Sequence, residues 1–218
     1  MLQATLAGSA MTIEELAARV GAVPLWRIRT DPAPGTATEE DVERIWAVEK
    51  QACELLDGVL LEKAASELTS FLGIEIARLL GNWVRTARLG WILGSNGFFW
   101  LSEGRLRAPD VSFIGRHQLP NRKLPSKGHV EVAPLLAVEV FSPGNTVREL
   151  EQKRAEFFAA GTELFWLVYP DRQEIEVSTS PDSHRLLGRN DTLDGGSVLP
   201  GFAVKIGEIF DAAEMGGN

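Results

Sequence analysis

Leu135-Leu136-Ala137-Val138-Glu139-Val140-Phe141, then Ser142-Pro143-Gly144-Asn145 and a run to Phe158 that carries Lys153, is the stretch that decides how this chain is read. The first seven residues have the composition of a buried strand, yet Glu139 stands in their middle. A carboxylate there loses its hydration and is expensive to bury unless an opposite charge or a metal compensates it. After the Ser142–Asn145 turn, a helix is expected from about Thr146 to Ala160, with Gly161 as its stop. Lys153 lies three residues after Leu150 and four before Phe157, on the stripe by which that helix packs inward. A lysine so placed either snorkels outward or pairs with an acid.

Upstream, a strand is expected from Arg107 to Ile114, irregular or at an edge around Pro109 because proline donates no ladder hydrogen bond. Asp110 alternates away from Val111 and Phe113 and need not share their apolar face. Asp110 and Glu139 on neighbouring strands would oppose each other's ionisation as a bare pair. Mg²⁺ or Mn²⁺ removes that conflict, because hard cations take oxygen ligands and keep coordinated water. Such an ion lowers the pKa of an attacking water and neutralises charge on a phosphodiester, while a nearby ammonium orients the water or stabilises the phosphoryl oxygens. Two structural readings stand beside this one. Asp110 could fix a turn after Pro109, and Glu139 with Lys153 could be a buried ion pair of purely structural use.

Working outward, Met11 to Val20 predicts a short amphipathic helix capped by Thr12 with Glu15. Asp31 to Ala37 breaks regular structure, and Thr38 caps a helix with Asp41 in its first turn. Cys53 to Glu62 reads as a hairpin about Asp57-Gly58, with Glu54 in its first arm. From Ser66 to about Arg88 the apolar residues Leu68, Phe71, Leu72, Ile76, Leu79, Leu80 and Trp83 predict a long helix ended by Gly90. Ile92 to Leu101 reads as an interrupted strand. Phe165 to Tyr169 and Glu174 to Ser178 read as a hairpin about Pro170-Asp171. Asp191 to Pro200 is turn-rich, and Val204 to Phe210 closes the chain with a strand edge or short helix. The expected architecture is a mixed sheet with helices packed on it.

The segment from Gly115 to Val130 reads as a loop. It carries Arg116, Arg122, Lys123 and Lys127, flanked by His117 and His129, and no acid. It is either a solvated loop or a phosphate-facing rim beside the site, since Arg and Lys position a nucleic-acid backbone without reading bases. The 218 residues suit one domain with a substantial core. No apolar run reaches the roughly 18–20 residues of a membrane span, and the start lacks the pattern of a secretory signal. Cys53 is the only cysteine, which excludes an intrachain disulfide and a cysteine zinc cluster and fits a reducing cytoplasm. The net charge of −8 weighs against a surface coated by nucleic acid, though not against a local basic patch.

From about Arg27 to Phe210 the chain resembles the Uma2 family, within the restriction-endonuclease-like PD-(D/E)XK superfamily. The resemblance rests on the order and spacing of Asp31-Pro32-Ala33-Pro34-Gly35-Thr36-Ala37, Glu54-Leu55-Leu56-Asp57-Gly58-Val59-Leu60, Pro109-Asp110-Val111, Ala137-Val138-Glu139-Val140-Phe141-Ser142-Pro143, and Leu193-Asp194-Gly195-Gly196 with Leu199-Pro200-Gly201-Phe202. It implies an α/β (α+β) fold with a restriction-endonuclease-like core, a mixed sheet flanked by helices. An N-terminal extension over 1–38, the nuclease domain over 39–213 and a disordered tail over 214–218 are expected.

The resemblance further implies a metal-dependent endonuclease hydrolysing DNA. Asp110 is then the PD aspartate and Glu139 the second metal-binding acid. Glu54 becomes a further metal or water ligand, and Lys153 is the lysine whose usual place, two residues after Glu139, is taken by Phe141. Mg²⁺ or Mn²⁺ is the implied cofactor, DNA the partner and a homodimer the implied assembly. Arg116, Arg122, Lys123 and Lys127 are the residues expected to contact nucleic acid. The chain departs from the family pattern at Leu135 after Pro134, at Tyr169 before Pro170, and at Phe157 and Phe158, where many relatives carry a tyrosine. With Phe141 in the lysine's place, these departures keep a second reading open: a catalytically inactive binding or assembly protein on the nuclease fold.

Overall fold

Side-chain caps in the sequence set where the helices start. In the computed structural model, which describes residues 11–21, 23–124, 130 and 132–214, helix α1 (Ile13–Val20) begins at Thr12. Its hydroxyl and the Glu15 carboxylate cap each other's backbone N–H groups. The same reciprocal device starts α2 (Glu39–Glu49) from Thr38 and Asp41, α3 (Glu67–Ala87) from Ser66 and Thr69, and α4 (Val147–Ala159) from Thr146 and Glu149. A short α5 (Ile206–Asp211) follows near the end. Lys127, His129 and residues 215–218 of the expected tail lie outside the described residues.

Twelve strands pair among the described residues. Strands β1 (Cys53–Leu56) and β2 (Val59–Glu62) form the hairpin expected at Asp57-Gly58. β3 (Gly90–Gly94), β4 (Phe99–Ser102), β5 (Arg105–Arg107) and β6 (Val111–Gly115) follow, then β7 (Leu136–Val140) and β8 (Leu164–Tyr169) on either side of α4. β9 (Glu174–Ser180), β10 (Ser183–Leu187), β11 (Thr192–Gly195) and β12 (Leu199–Lys205) complete the set. The main sheet has the order β10-β9-β8-β7-β6-β3, a smaller one β2-β1-β5-β4, and β11 pairs with β12 alone. Only β7 and β8 run parallel in the main sheet, as a strand pair joined through a helix must when both strands run the same way. The fold is thus mixed α/β, with helices on both faces of the sheet.

Alternation along β7 divides the two faces. Leu136, Val138 and Val140 face the large core formed with Leu72, Ile76, Leu80 and Val84 of α3 and with the β11–β12 hairpin. Ala137 faces Leu150 and Phe157 of α4, with Phe165 and Leu167 of β8. Each fully buried aliphatic or aromatic residue of this kind contributes roughly 1.5–3 kcal/mol. Glu139 belongs, by the same alternation, to the α4 face.

Several elements differ from expectation, for local reasons. The helix α3 ends close to the expected Arg88, but its stop is Arg88, which takes the left-handed conformation (φ 54°), and not Gly90. Gly90 instead starts β3, where a Cβ would lie 1.9 Å from the Ile114 carbonyl oxygen. Leu68 and Phe71, placed on the buried stripe from their spacing, are exposed because the buried face of α3 runs through Thr69, Leu72, Gly73, Ile76, Leu80 and Val84. The strand expected over Ile92–Leu101 divides into β3 and β4, which join different sheets, and the one over Arg107–Ile114 divides likewise at Pro109. The turn-rich segment about Gly195-Gly196 is a complete hairpin, the closing segment is the helix α5, and β10 is an additional edge strand.

A buried ion pair ties the N-terminal segment to α4. Arg27 Nη1 donates to both carboxylate oxygens of Glu149 at 2.9 and 2.8 Å and to the Gly144 carbonyl, and both side chains are only 2% exposed. Removing one member strands the other charge, so Arg27→Ala is expected to cost about 3–5 kcal/mol. Urea denaturation, read as a lower midpoint at unchanged slope, checks this.

Candidate active site

The seam between the two sheets is built from charge. Glu54 of β1 and Arg107 of β5 sit across from each other when the β1–β5 register (Leu55 with Leu106) is carried one residue further. Arg107 Nη1 donates to Glu54 Oε2 at 2.8 Å, and the Ala108 backbone N–H donates to Glu54 Oε1 at 3.0 Å. From the other side, Lys153 of α4 brings its Nζ within 2.8 Å of Glu54 Oε1 and 2.6 Å of Glu139 Oε1. Glu156, one turn further along α4, takes Arg107 and Arg105 together, and Arg105 also reaches Asp57. Lys153 is therefore inward, at the place its spacing with Leu150 and Phe157 predicts, and is almost wholly buried.

Asp110 sits at the break between β5 and β6. Its N–H donates to the Val138 carbonyl at 3.0 Å, and its Oδ2 accepts from the Val140 N–H at 2.9 Å. Carrying the β6–β7 register (Val111 with Val138) one residue back sets Asp110 across from Glu139. Its Oδ1 lies 3.1 Å from Nζ of Lys63, which also donates to the carbonyls of Ala108 and Ser95. Asp110 and Lys63 line a cleft of about 340 Å³ with Thr69, Ser70 and Gly73 of α3. Glu139, Glu54 and Lys153 lie behind that lining.

These environments push the acids apart. Burial raises the Glu139 carboxyl to about 7; Lys153 pulls against that rise, and the Asp110 charge adds to it. Burial would raise Glu54 too, but Lys153, Arg107 and Lys63 together hold it well below the usual carboxylate range. Burial disfavours the charged form of Lys153, yet the two glutamates outweigh it and raise its pKa, so the amine stays protonated at neutral pH. Lys153 is thus an electrostatic group, not a base.

Asp110, Glu139, Lys153 and Glu54, singled out from the sequence, are brought into one cluster. Glu54 has both oxygens engaged by Arg107, Ala108 and Lys153. Arg116 and Arg122 line a separate groove, and Lys123 is exposed on the loop beside it. Lys63 and Arg107 were not singled out. The available signal was their position: Arg107 ends a short strand opposite Glu54, and Lys63 directly follows the apolar strand β2.

No group of three or more His, Cys, Asp or Glu residues is arranged around a common metal position among the described residues. The donor set Asp110 and Glu139 still fits a cation that keeps much of its water, because both groups supply hard oxygens and one opens to the cleft.

The sequence profile of Uma2, described as "Putative restriction endonuclease", matches residues 40–207. The chain belongs to the Uma2 family. A solved structure described as a "putative nuclease belonging to DUF820", from Anabaena variabilis, superposes with a TM-score of 0.65 at 17% identity, covering 74% of this chain and 91% of that one. That likeness confirms the fold of this Uma2 protein. No curated protein matches the chain.

The two buried glutamates respond oppositely to neutralisation. Glu139 has a folded pKa above its unfolded value near 4.5, so the folded state keeps a proton that the unfolded state releases. Its contribution to stability falls as pH rises from about 4.5 to about 7 and is flat above that. Glu139→Gln is expected to gain on the wild type in Tm across that window, whereas Glu54→Gln, which strands Arg107 and Lys153, lowers Tm throughout. Melting curves between pH 4.5 and 8.5, without added divalent ions, check both signs.

Proposed function

We propose that this Uma2 protein is a metal-dependent endonuclease that hydrolyses DNA phosphodiester bonds at the Asp110 cleft. The observation that supports this most is the meeting of Asp110 and Glu139 across β6 and β7, with a permanently charged lysine packed behind Glu139. Asp110 and Glu139 would hold Mg²⁺ or Mn²⁺, and when bound the ion supplies an activated water and charge neutralisation at the phosphate.

The chain's own groups have distinct tasks. The Val140 N–H fixes one oxygen of Asp110 and leaves the other turned to Lys63. In the absence of a cation, Lys63 supplies the positive charge that Asp110 needs. Because it lines the cleft beside Asp110, its ammonium would be placed to meet a non-bridging phosphate oxygen of a bound strand. Lys153, clamped by Glu54, sets the orientation of Glu139 and offsets its charge. Glu54 and Arg107 in turn fix Lys153, so both act through it and do not touch substrate. In the net reaction a water oxygen forms a bond to phosphorus, one P–O ester bond breaks, and a proton ends on the leaving oxygen.

A specific observation favours the second reading, a nuclease-fold binding protein without catalysis: each acid already has a lysine ammonium within ion-pair distance. One set of assays separates the two. Plasmid and single-stranded DNA are incubated with and without Mg²⁺ or Mn²⁺, using wild type, Asp110→Ala and Glu139→Ala. The nuclease reading expects ion-dependent cleavage reduced at least roughly 100-fold in both variants, in line with loss of a transition-state charge partner. Equal cleavage by all three proteins removes the assignment. No cleavage, together with no Mn²⁺ binding by calorimetry and retained DNA binding, establishes the non-catalytic protein.

A further inference from the structure

A second groove of about 820 Å³ lies against the Asp110 cleft, and Ile74, Ala77 and Gly94 line both. Arg78, Arg85, Arg88, Arg116 and Arg122 line it, and no acid does. In a chain of net charge −8, an acid-free groove with five arginines is a deliberate concentration of positive charge. Glu75 clamps Arg78 from the side at 2.7 and 2.6 Å. Arg85, Arg88, Arg116 and Arg122 have no carboxylate partner among the described residues, and Arg116 only approaches the Arg88 carbonyl at 3.4 Å.

The spacing on α3 is regular. Ile74, Arg78, Gly81 and Arg85 follow one another at intervals of four, three and four residues, a single stripe along the helix, and Arg88 caps its end. Gly81 and Gly94 form open floor between the arginines: a Cβ at either position would meet no heavy atom within 4 Å. From Arg78 to Arg85 the helix advances about 10 Å at 1.5 Å per residue, the axial rise of about three nucleotides of a duplex. Arg116 and Arg122 add charge from the loop after β6. Guanidinium forks match phosphate oxygens in pairs, and their mutual repulsion in a concave groove is relieved by a polyanion.

We propose that this groove is the track for the phosphate backbone of a DNA strand entering the Asp110 cleft. Its destination rests on the nuclease reading; the track itself is tested without cleavage. Binding of short fluorescent DNA, single-stranded and as the matching duplex, is followed by anisotropy in EDTA between about 50 and 200 mM salt. Gly81→Glu places a carboxylate on the open floor at a helix position that favours Glu over Gly, so folding is kept. It is expected to weaken binding at least roughly tenfold, while Gly81→Ala stays within about twofold of wild type. The double variant Arg85→Ala/Arg88→Ala is expected to flatten the slope of log affinity against log salt by about 1.4 to 1.8 for two lost phosphate contacts. If Gly81→Glu and the double variant bind like wild type, the track is wrong even where Asp110-dependent cleavage is found. If both lose binding while no ion supports cleavage, the track stands and the catalytic reading falls.

Discussion

A buried carboxylate must have its charge matched, and the placement of β7, α4, β1 and β5 relative to one another follows from that requirement. Glu139 lies in the middle of a central strand, with its neighbours 136, 138 and 140 committed to the apolar face. Its charge can be met only from the α4 side, and Lys153 reaches it there. Lys153 in turn needs more than one acid, which brings in Glu54 from the smaller sheet; Glu54 needs Arg107, and Arg107 needs Glu156. The chain of demands runs from β7 through α4 to β1 and β5. At this seam the two sheets are joined by charge, whereas elsewhere they are held by apolar packing. Such a network is weak evidence for stability, since burying ions costs several kcal/mol each. It is good evidence for a required geometry.

Much of this was legible before any coordinates. Local signals carried the helix starts, because caps are short-range: Thr12 with Glu15, Thr38 with Asp41 and Thr146 with Glu149 each act within one turn. Period-based reading also placed Lys153 inward. What could not be read was partner choice across long separations. Glu54 and Arg107 are 53 residues apart and Lys63 and Asp110 are 47 apart, and nothing local tells Glu54 that its partners are Arg107 and Lys153. Strand splitting failed for a related reason. The interruption in Ile92–Leu101 and the irregularity at Pro109 in Arg107–Ile114 are visible in composition, but that the two halves of each join different sheets is decided by which strand edges are free. The arginines of α3 leave no mark on apolar periodicity, because Arg78 and Arg85 lie on its exposed side.

The departures at Phe141 and Phe157 become intelligible as packing. Phe141 stacks on Tyr169 with ring centroids 5.7 Å apart, and Phe157 packs on Phe165 at 6.0 Å. A lysine in place of Phe141 would sit on the same strand as Glu139, two residues on, and would remove that stack. Supplying the amine from α4 leaves the end of the strand apolar and places Lys153 on the helix face that also buries Leu150 and Phe157. The helix solution has a cost: the amine cannot leave Glu139 without leaving Glu54 as well, so it is fixed where a strand-borne lysine would be mobile.

That fixity divides labour between the two lysines of the site. Lys153 is buried between two carboxylates and is held in its charged form, so it can set a field but cannot follow a substrate. Lys63 faces the cleft, holds to Asp110 and two carbonyls, and can exchange those partners for others of the same sign. Distant acids of this acidic chain matter little to either, because exposed charges are screened over about 8–10 Å. The groove arginines come from the adjoining stretch of α3, from its cap Arg88 and from the loop after β6. If they carry an anion as proposed, it is led through the wall of Ile74, Ala77 and Gly94 that both cavities share, into the cleft where Lys63 is already paired with Asp110.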